Sequence, residues 1–512
     1  MWMRRVGTLA IAVIAVACSS SDSDGATVET VMPSSGVEAA PGTTTAAAGE
    51  ASDRFAGFAP CDAGGAPGDW VCATLEVPID RADTAGGSIA LKVWARPHTD
   101  PAAPPADPVF APPAGPGAFG LDNFGAYWLP QVFGEARDII LLNPRGTGES
   151  GVIDCPDLQD GFDDLSQWAA LAGECAAQLG DAADRYGAAD RAMDLEAIRD
   201  WLDYERIVLY GHSFSGVDAQ AYATRWPARL SAVVLDATFP LVSTDHWLRA
   251  TELNVANVLR VADLACAEVA FCAEETDDPS GTLAGTVTRL AAVPLVGIAT
   301  DGTEVVIDEA YVYEAAKDMD LPSLVAAVAD YEDGDPQPLL DYAADNPPLY
   351  KSGELYGADP GVYSGGADVA GFCKEPLDPW DPSNPVDVRR TELEAAVAEL
   401  PVDIYAPWSI GAVALYSSFD QCVEWPAPDP KSESAIPVGS TNATLPVLVL
   451  NGDRDRLVPV AQSRELLATF PNASFAVIPG ADHPALSAGL CVAELIADFV
   501  DTLEPVEGEQ CG

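Results

Sequence analysis

The segment Ile207-Val208-Leu209-Tyr210-Gly211-His212-Ser213-Phe214-Ser215-Gly216 constrains this chain more than any other. Its apolar start reads as a buried strand, and Val217–Trp226 reads as a helix stopped by Pro227. Between them lies a small-x-Ser-x-small turn. Small residues on both sides of a serine let the backbone turn sharply, so the hydroxyl projects from a nucleophile elbow. The helix that follows points its positive end at the same spot, where it stabilises developing negative charge. The alternative, an ordinary strand-to-helix turn, carries no chemistry.

A serine hydroxyl at neutral pH needs a base. The chain has four histidines: His98, His212, His246 and His483. His98 precedes the expected third strand, His246 opens a region of different character, and His212 sits inside the elbow and is expected to point away from Ser213. His483 remains, in the loop Pro479-Gly480-Ala481-Asp482-His483 after the last expected strand. An acid that orients the imidazole should follow a late strand. Asp455, after Val447–Leu450, is the first choice; Asp453 in the same turn and Asp236 at the end of Val233–Leu235 are the rivals. The order Ser, Asp, His is the one that strand-elbow-helix enzymes of this type use. An oxyanion hole needs two backbone N–H groups. One is expected from Phe214, the other from Gly115, with Ala114 close behind, in Pro112-Pro113-Ala114-Gly115-Pro116-Gly117.

Apolar runs bounded by turn residues predict strands at Thr74–Ile79, Ile89–Ala95, Pro108–Ala111, Asp138–Leu142, Arg206–Tyr210, Ala232–Leu235, Val447–Leu450 and Ser474–Ile478. The later runs are continuous, as in parallel strands covered on both faces. Helical spacing at Leu195, Ile198, Trp201 and Leu202 places a helix over Asp190–Leu202. Alternation of this kind argues for an α/β sheet. From 241 to 443 the pattern becomes helical and rich in Pro and Asp, then strands resume. This stretch reads as a cap inserted into a core of residues 54–240 and 444–512; an independent second domain is the alternative.

Residues 1–17 have the form of an export signal: Arg4 and Arg5, then an apolar run from Val6 to Ala17 too short for a bilayer span of about 20 residues. Ala15-Val16-Ala17-Cys18 resembles a bacterial lipobox, which makes Cys18 the expected lipidation site; plain secretion is the alternative. Residues 18–53 are rich in Ser, Thr, Ala, Gly and acids and read as a tether. Of 11 cysteines, ten remain after Cys18, loosely spaced and without zinc-type Cys-x-x-Cys pairs. Five neighbour-to-neighbour disulfides in an oxidising compartment are the simplest arrangement. With 26 basic and 79 acidic residues the formal charge is −53. That surface favours solubility and repels phosphate backbones and anionic headgroups, so no nucleic-acid partner is expected and membrane contact is expected only through the anchor.

Several motifs carry a family resemblance: Cys72-Ala73-Thr74-Leu75-Glu76-Val77-Pro78-Ile79-Asp80, Asn143-Pro144-Arg145-Gly146-Thr147-Gly148-Glu149-Ser150, the elbow, Cys422-Val423-Glu424-Trp425-Pro426, and Leu445 through Cys511. With these the chain resembles the secreted tripeptidyl-aminopeptidase and proline-iminopeptidase branch of the α/β-hydrolases, over residues 60–512. The resemblance implies an α/β-hydrolase fold, here a mostly parallel eight-stranded sheet with a helical cap between strands six and seven. It also implies a triad at Ser213, Asp455 and His483, no metal or organic cofactor, and removal of residues from free peptide N-termini. The family's Gly-Gly-Pro-Gly loop appears here as Ala114-Gly115-Pro116-Gly117, and its Gly-Gly-Ser-Tyr-Gly elbow as Gly211-His212-Ser213-Phe214-Ser215. A Gly-His-Ser elbow is commoner in esterases and lipases, so carboxylesterase activity is the second expectation. A non-catalytic ligand-binding lipoprotein is the third. Oligomeric state has no signature in the sequence.

Overall fold

Backbone pairing in a computed structural model follows the apolar runs closely. The structure describes residues 54–511 apart from 62–69, 85, 101–105, 121–122, 161–164, 241–245, 349–355, 358, 375–377, 416–419, 430–433 and 438. The export signal, Cys18 and the tether lie outside the described residues.

The first half of the chain contributes β1 (Ala59–Pro60), β2 (Val71–Pro78), β3 (Ser88–Arg96), β4 (Val109–Ala111), β5 (Ile139–Leu142), β6 (Ile207–His212) and β7 (Leu230–Asp236). A hairpin, β8 (Leu295–Ile298) with β9 (Glu304–Ile307), stands apart from them; β10 (Val447–Gly452), β11 (Ser474–Ile478) and β12 (Glu507–Glu509) complete the set. The main sheet has ten strands in the order β1-β2-β3-β5-β4-β6-β7-β10-β11-β12. All eight expected strands are in it. The two additions, β1 and β12, are edge strands of two and three exposed residues, too short to leave a periodic pattern. Pairing is antiparallel from β1 through β5 and parallel from there to β12.

Burial explains the composition of the strands. Every residue of β5, β6 and β10 is buried, because helices cover both faces. Alternate residues feed opposite layers: Phe110, Ile140 and Leu209 pack on one side, Val109, Ile139 and Val208 on the other. The first layer is closed by helices Ala188–Trp201 and Ser215–Arg225, the second by Asn123–Phe133 and Leu490–Thr502. The helix expected at Asp190–Leu202 starts two residues earlier, and the one expected at Val217–Trp226 ends at Arg225 beside Pro227.

Strand order positions the site. β4 and β6 are neighbours, yet the chain leaves β4 toward β5 and leaves β6 toward β7. Where outgoing connections diverge, a crevice opens at the carboxyl ends of the two strands. The loop after β4 and the elbow after β6 therefore lie side by side.

Between β7 and β10 the chain builds the β8–β9 hairpin and a set of helices, among them His246–Glu268, Pro279–Ala292, Glu309–Asp318, Leu321–Glu332 and Gly365–Lys374. Its Asp and Pro residues have a local purpose. Asp278, Asp308 and Asp320 each accept a backbone N–H at a helix start, and prolines follow Asp278 and Leu321 in the first turn. None of the described helices is long and apolar enough to cross a membrane.

The ten cysteines pair with their neighbours: Cys61–Cys72, Cys155–Cys175, Cys266–Cys272, Cys373–Cys422 and Cys491–Cys511. Loop entropy ranks their contributions. Cys373–Cys422 closes a separation of 49 residues and Cys266–Cys272 one of 6. Replacing both members of the longer pair by serine should destabilise the protein by about 4 kcal/mol, against about 2 kcal/mol for the shorter pair. Urea unfolding of the two double variants checks this; equal losses would refute the ranking.

Candidate active site

Ser213 stands at the tip of the turn between β6 and the helix Ser215–Arg225, with φ 51°. A left-handed backbone is costly for any residue with a Cβ, by about 1–2 kcal/mol, so the surroundings must impose it. Two glycines make room. A Cβ on Gly211 would come within 2.9 Å of the Gly216 Cα, and one on Gly216 within 2.2 Å of the Thr238 hydroxyl oxygen. Ser215 then staples the turn: its Oγ accepts from the His212 N–H at 3.0 Å and donates to the His212 carbonyl at 2.8 Å. The Ser213 N–H donates to the Asp236 carbonyl at 3.0 Å, which binds the elbow to the end of β7.

His483 follows β11. Its Nδ1 lies 2.7 Å from Oδ2 of Asp455, a carboxylate with no solvent exposure. The other Asp455 oxygen accepts the N–H groups of Leu457 at 2.9 Å and Val458 at 2.8 Å. Those bonds fix the carboxylate plane and leave one oxygen for the imidazole. Burial disfavours the charged imidazole, but Asp455, by charge and hydrogen bond, then Asp236 and Asp482, by charge, outweigh it and hold the His483 pKa above its ordinary value.

The two rival acids occupy other positions. Asp453 accepts the Gly480 N–H at 2.7 Å and so joins the turn after β10 to the turn after β11. Asp236 is fully buried; Oδ1 accepts from Ala485 N–H at 2.9 Å, and Oδ2 accepts from Leu486 N–H at 3.0 Å and the Tyr210 hydroxyl at 2.8 Å. Burial pushes its pKa up to about 6, against those hydrogen bonds and the nearby His483. Asp236 therefore holds the two strands' ends together: its carbonyl takes the elbow and its carboxylate takes the loop that carries His483.

The other histidines are elsewhere. His98 pairs with Asp138 at 2.8 Å, at the amino end of β5 and so at the opposite edge of the sheet. His246 opens its helix in the insertion. His212 is buried behind the elbow, lining a small internal space with Ala111, Pro112, Pro113 and Tyr210. Burial, with the nearby His483 second, pushes its pKa down to about 3, so it stays neutral.

Gly115 has φ 75°, and its carbonyl accepts the Ala118 N–H at 3.3 Å, which closes a tight turn after β4. Phe214 begins the elbow helix with its ring buried against Phe372, centroids 4.7 Å apart. Asn143 accepts the Gly120 N–H at 2.6 Å, and Arg145 forms a buried bidentate pair with Asp194 at 2.7 and 2.8 Å. Asn143 thus ties the turn after β5 to the loop after β4, and Arg145 anchors that turn to the helix Ala188–Trp201. Sequence reasoning missed the bridging by Asp236 and Asp453 and the contact of Asn257, whose side-chain amide donates to the Asp455 carbonyl. The Gly-x-x-Asp spacing after β10 hints at the acids; nothing near residue 257 marks it.

The family model for the alpha/beta hydrolase fold matches residues 107–489. Serine protease Hip1 of Mycobacterium tuberculosis is 27% identical over 190 residues, which are 33% of this chain and 36% of that protein. The chain thus spans about a third of the length of the curated relatives it matches. Among solved structures, a thermophilic esterase from Thermogutta terrifontis aligns over 84% of this chain and 99% of its own, at 16% identity and TM-score 0.35. A proline iminopeptidase from Mycobacterium smegmatis aligns over 84% and 98%, at 14% identity and TM-score 0.34. With three quarters of its length under the family model, elbow and imidazole loop included, the chain belongs to the alpha/beta hydrolase fold family.

Proposed function

We propose that the chain is an extracytoplasmic serine hydrolase that cleaves acyl bonds through an acyl-enzyme, with Ser213, His483 and Asp455 as its triad. The observation that carries this reading is the 2.7 Å bond between His483 Nδ1 and the buried Asp455. It fixes the orientation of the ring and leaves Nε2 for proton transfer.

In the proposed cycle, Ser213 Oγ attacks the acyl carbon while its proton passes to His483 Nε2. Asp455 stabilises the imidazolium and fixes its tautomer. The carbonyl oxygen becomes an oxyanion held by the amides of Phe214 and Gly115. Collapse breaks the acyl bond, and the leaving amine or alcohol takes the proton from His483. Water, deprotonated by the same imidazole, attacks the ester; collapse breaks the acyl–Oγ bond, releases the acid and returns the proton from His483 to Ser213 Oγ.

The preferred substrate is a short peptide with a free N-terminus. The sequence resemblance to secreted aminopeptidases supports the free N-terminus, and similarity to a serine protease supports a peptide bond. Acids of the insertion, acting as a cap over the site, would hold the amine. The Gly211-His212-Ser213 elbow favours a second reading, carboxylester hydrolysis. Five disulfides support an oxidising compartment, and lipidation at Cys18 would anchor the chain there.

Ser213→Ala should abolish labelling by a fluorophosphonate probe and lower turnover by roughly a million-fold. Failure of the wild type to label would instead support a ligand-binding lipoprotein. Acetylating the N-terminus of a peptide amide substrate should stop its cleavage; unchanged cleavage, or activity confined to short aryl esters, would favour the esterase reading.

The acid assignment has its own test. Asp455→Asn should lower kcat by about 10⁴-fold. Asp236→Asn should leave kcat within about tenfold of wild type but destabilise the fold by about 1–3 kcal/mol, because buried donors lose an acceptor. Reversed effects, measured by steady-state kinetics and thermal unfolding, would exchange the two roles.

The pH profile follows from the raised His483 pKa. The imidazole acts as base only when neutral, so kcat/KM should fall on the acid side with a midpoint above the ordinary 6.5. Its charge–carboxylate pairing stabilises the fold below the unfolded pKa and is lost as pH rises through the folded one. A midpoint at or below 6.5 would show that burial outweighs Asp455 and its neighbours at this imidazole.

A further inference from the structure

An oxyanion hole works only if its donors sit 2.7–3.1 Å from where the oxygen will be, so whatever holds those donors governs turnover. The loop after β4 has little internal support: its turn is closed by the single bond from Ala118 to Gly115. Beyond the Asn143 bond at Gly120, the bracing comes from the insertion. Ala118 makes an antiparallel bridge with Tyr363, and the Ser364 N–H donates to the Gly117 carbonyl at 2.9 Å. Contact is tight enough that a Cβ on Gly117 would lie 2.3 Å from the Ser364 carbonyl oxygen. A Cβ on Gly115 would lie 3.1 Å from the Tyr363 hydroxyl.

Tyr363 is itself fixed. Its hydroxyl donates to Asp368, and its ring stacks on Tyr356 at 6.1 Å and 15°. Tyr356 in turn accepts from Trp168 Nε1 at 3.0 Å. Asp368 is buried in the helix Gly365–Lys374. Burial lifts its carboxyl to about 7, against the hydroxyls of Tyr363 and Tyr356 and the charge of Arg191.

The same helix reaches the other donor. Phe372 packs on the Phe214 ring, and a Cβ on Gly371 would lie 2.5 Å from Pro116 Cβ, so the helix also presses on the loop after β4. One short segment therefore touches both halves of the hole.

We propose that Tyr363–Phe372 is the positioning element of the oxyanion hole, with Tyr363 setting the Gly115 amide and Phe372 seating Phe214, and that the Tyr363–Asp368 hydrogen bond locks it. This rests on the serine-hydrolase reading above. In this proposal Tyr363 is a positioning residue that acts through Gly115.

The test uses the full chain with Tyr363→Phe and Tyr363→Leu, an aryl ester substrate, and an arylboronate that forms a tetrahedral adduct on the serine. Loss of the hydroxyl frees the ring, so Tyr363→Phe should lower kcat by about tenfold. Tyr363→Leu, which also removes the wall behind Gly115, should lower it by about 100-fold, a value near the loss of one donor. KM should stay within about twofold, and boronate affinity should fall in step with kcat. Turnover of both variants within twofold of wild type would overturn the proposal, as would a change confined to KM. Should Tyr363→Leu not fold, Tyr363→Phe decides alone. A wild type that fails to react with a fluorophosphonate sinks the hydrolase reading instead, whereas a reactive wild type with indifferent Tyr363 variants sinks only the positioning role.

Discussion

Asp236 is the residue on which the geometry of the site depends. At the end of β7 its main-chain carbonyl receives the N–H of Ser213, and its carboxylate receives the N–H groups of Ala485 and Leu486. The nucleophile turn and the imidazole loop, some 270 positions apart, thus share one buried residue, the first through its main chain and the second through its side chain. A carboxylate out of water is tolerable because three donors meet it, the third being the Tyr210 hydroxyl. The cost of that burial is visible in its raised pKa.

Three acids at the carboxyl edge divide the work by how their oxygens are claimed. Asp236 spends both on loop amides and a tyrosine, Asp453 holds Gly480, and Asp455 keeps one oxygen for His483. The chemistry of the three side chains is identical. What differs is the set of backbone N–H groups within reach, and that follows from the register of β7, β10 and β11.

The insertion is keyed to the carboxyl edge of the sheet at two places. On the acid side, Asn257 donates to the Asp455 carbonyl, and Arg456 donates to the carbonyls of Ala316 and Met319 at 2.8 Å each. At the loop after β4 and the elbow, Tyr363 lies against Gly115 and Phe372 packs on Phe214. Moving this segment as a rigid body would break these contacts. This gives a physical reason for the Cys373–Cys422 crosslink, which ties the end of the Gly365–Lys374 helix within the same segment.

The elbow, the strand runs and the disulfide partners were legible in the sequence because their causes are local. A left-handed serine demands small neighbours at Gly211, Ser215 and Gly216, buried parallel strands demand continuous apolar runs, and cysteines close in sequence meet with little chain to order. His483 could be found by elimination, since only four histidines exist. Asp455 was ranked first of three acids there, but the separate bonds of Asp236 and Asp453 were not legible, because all three end or follow parallel strands and look alike in one dimension. The edge strands β1 and β12, the clamp of Asn257 and the packing of Tyr363 behind Gly115 were equally silent. Each depends on contacts between segments far apart in the chain, whose geometry exists only after the sheet has set its register and the insertion has docked on it.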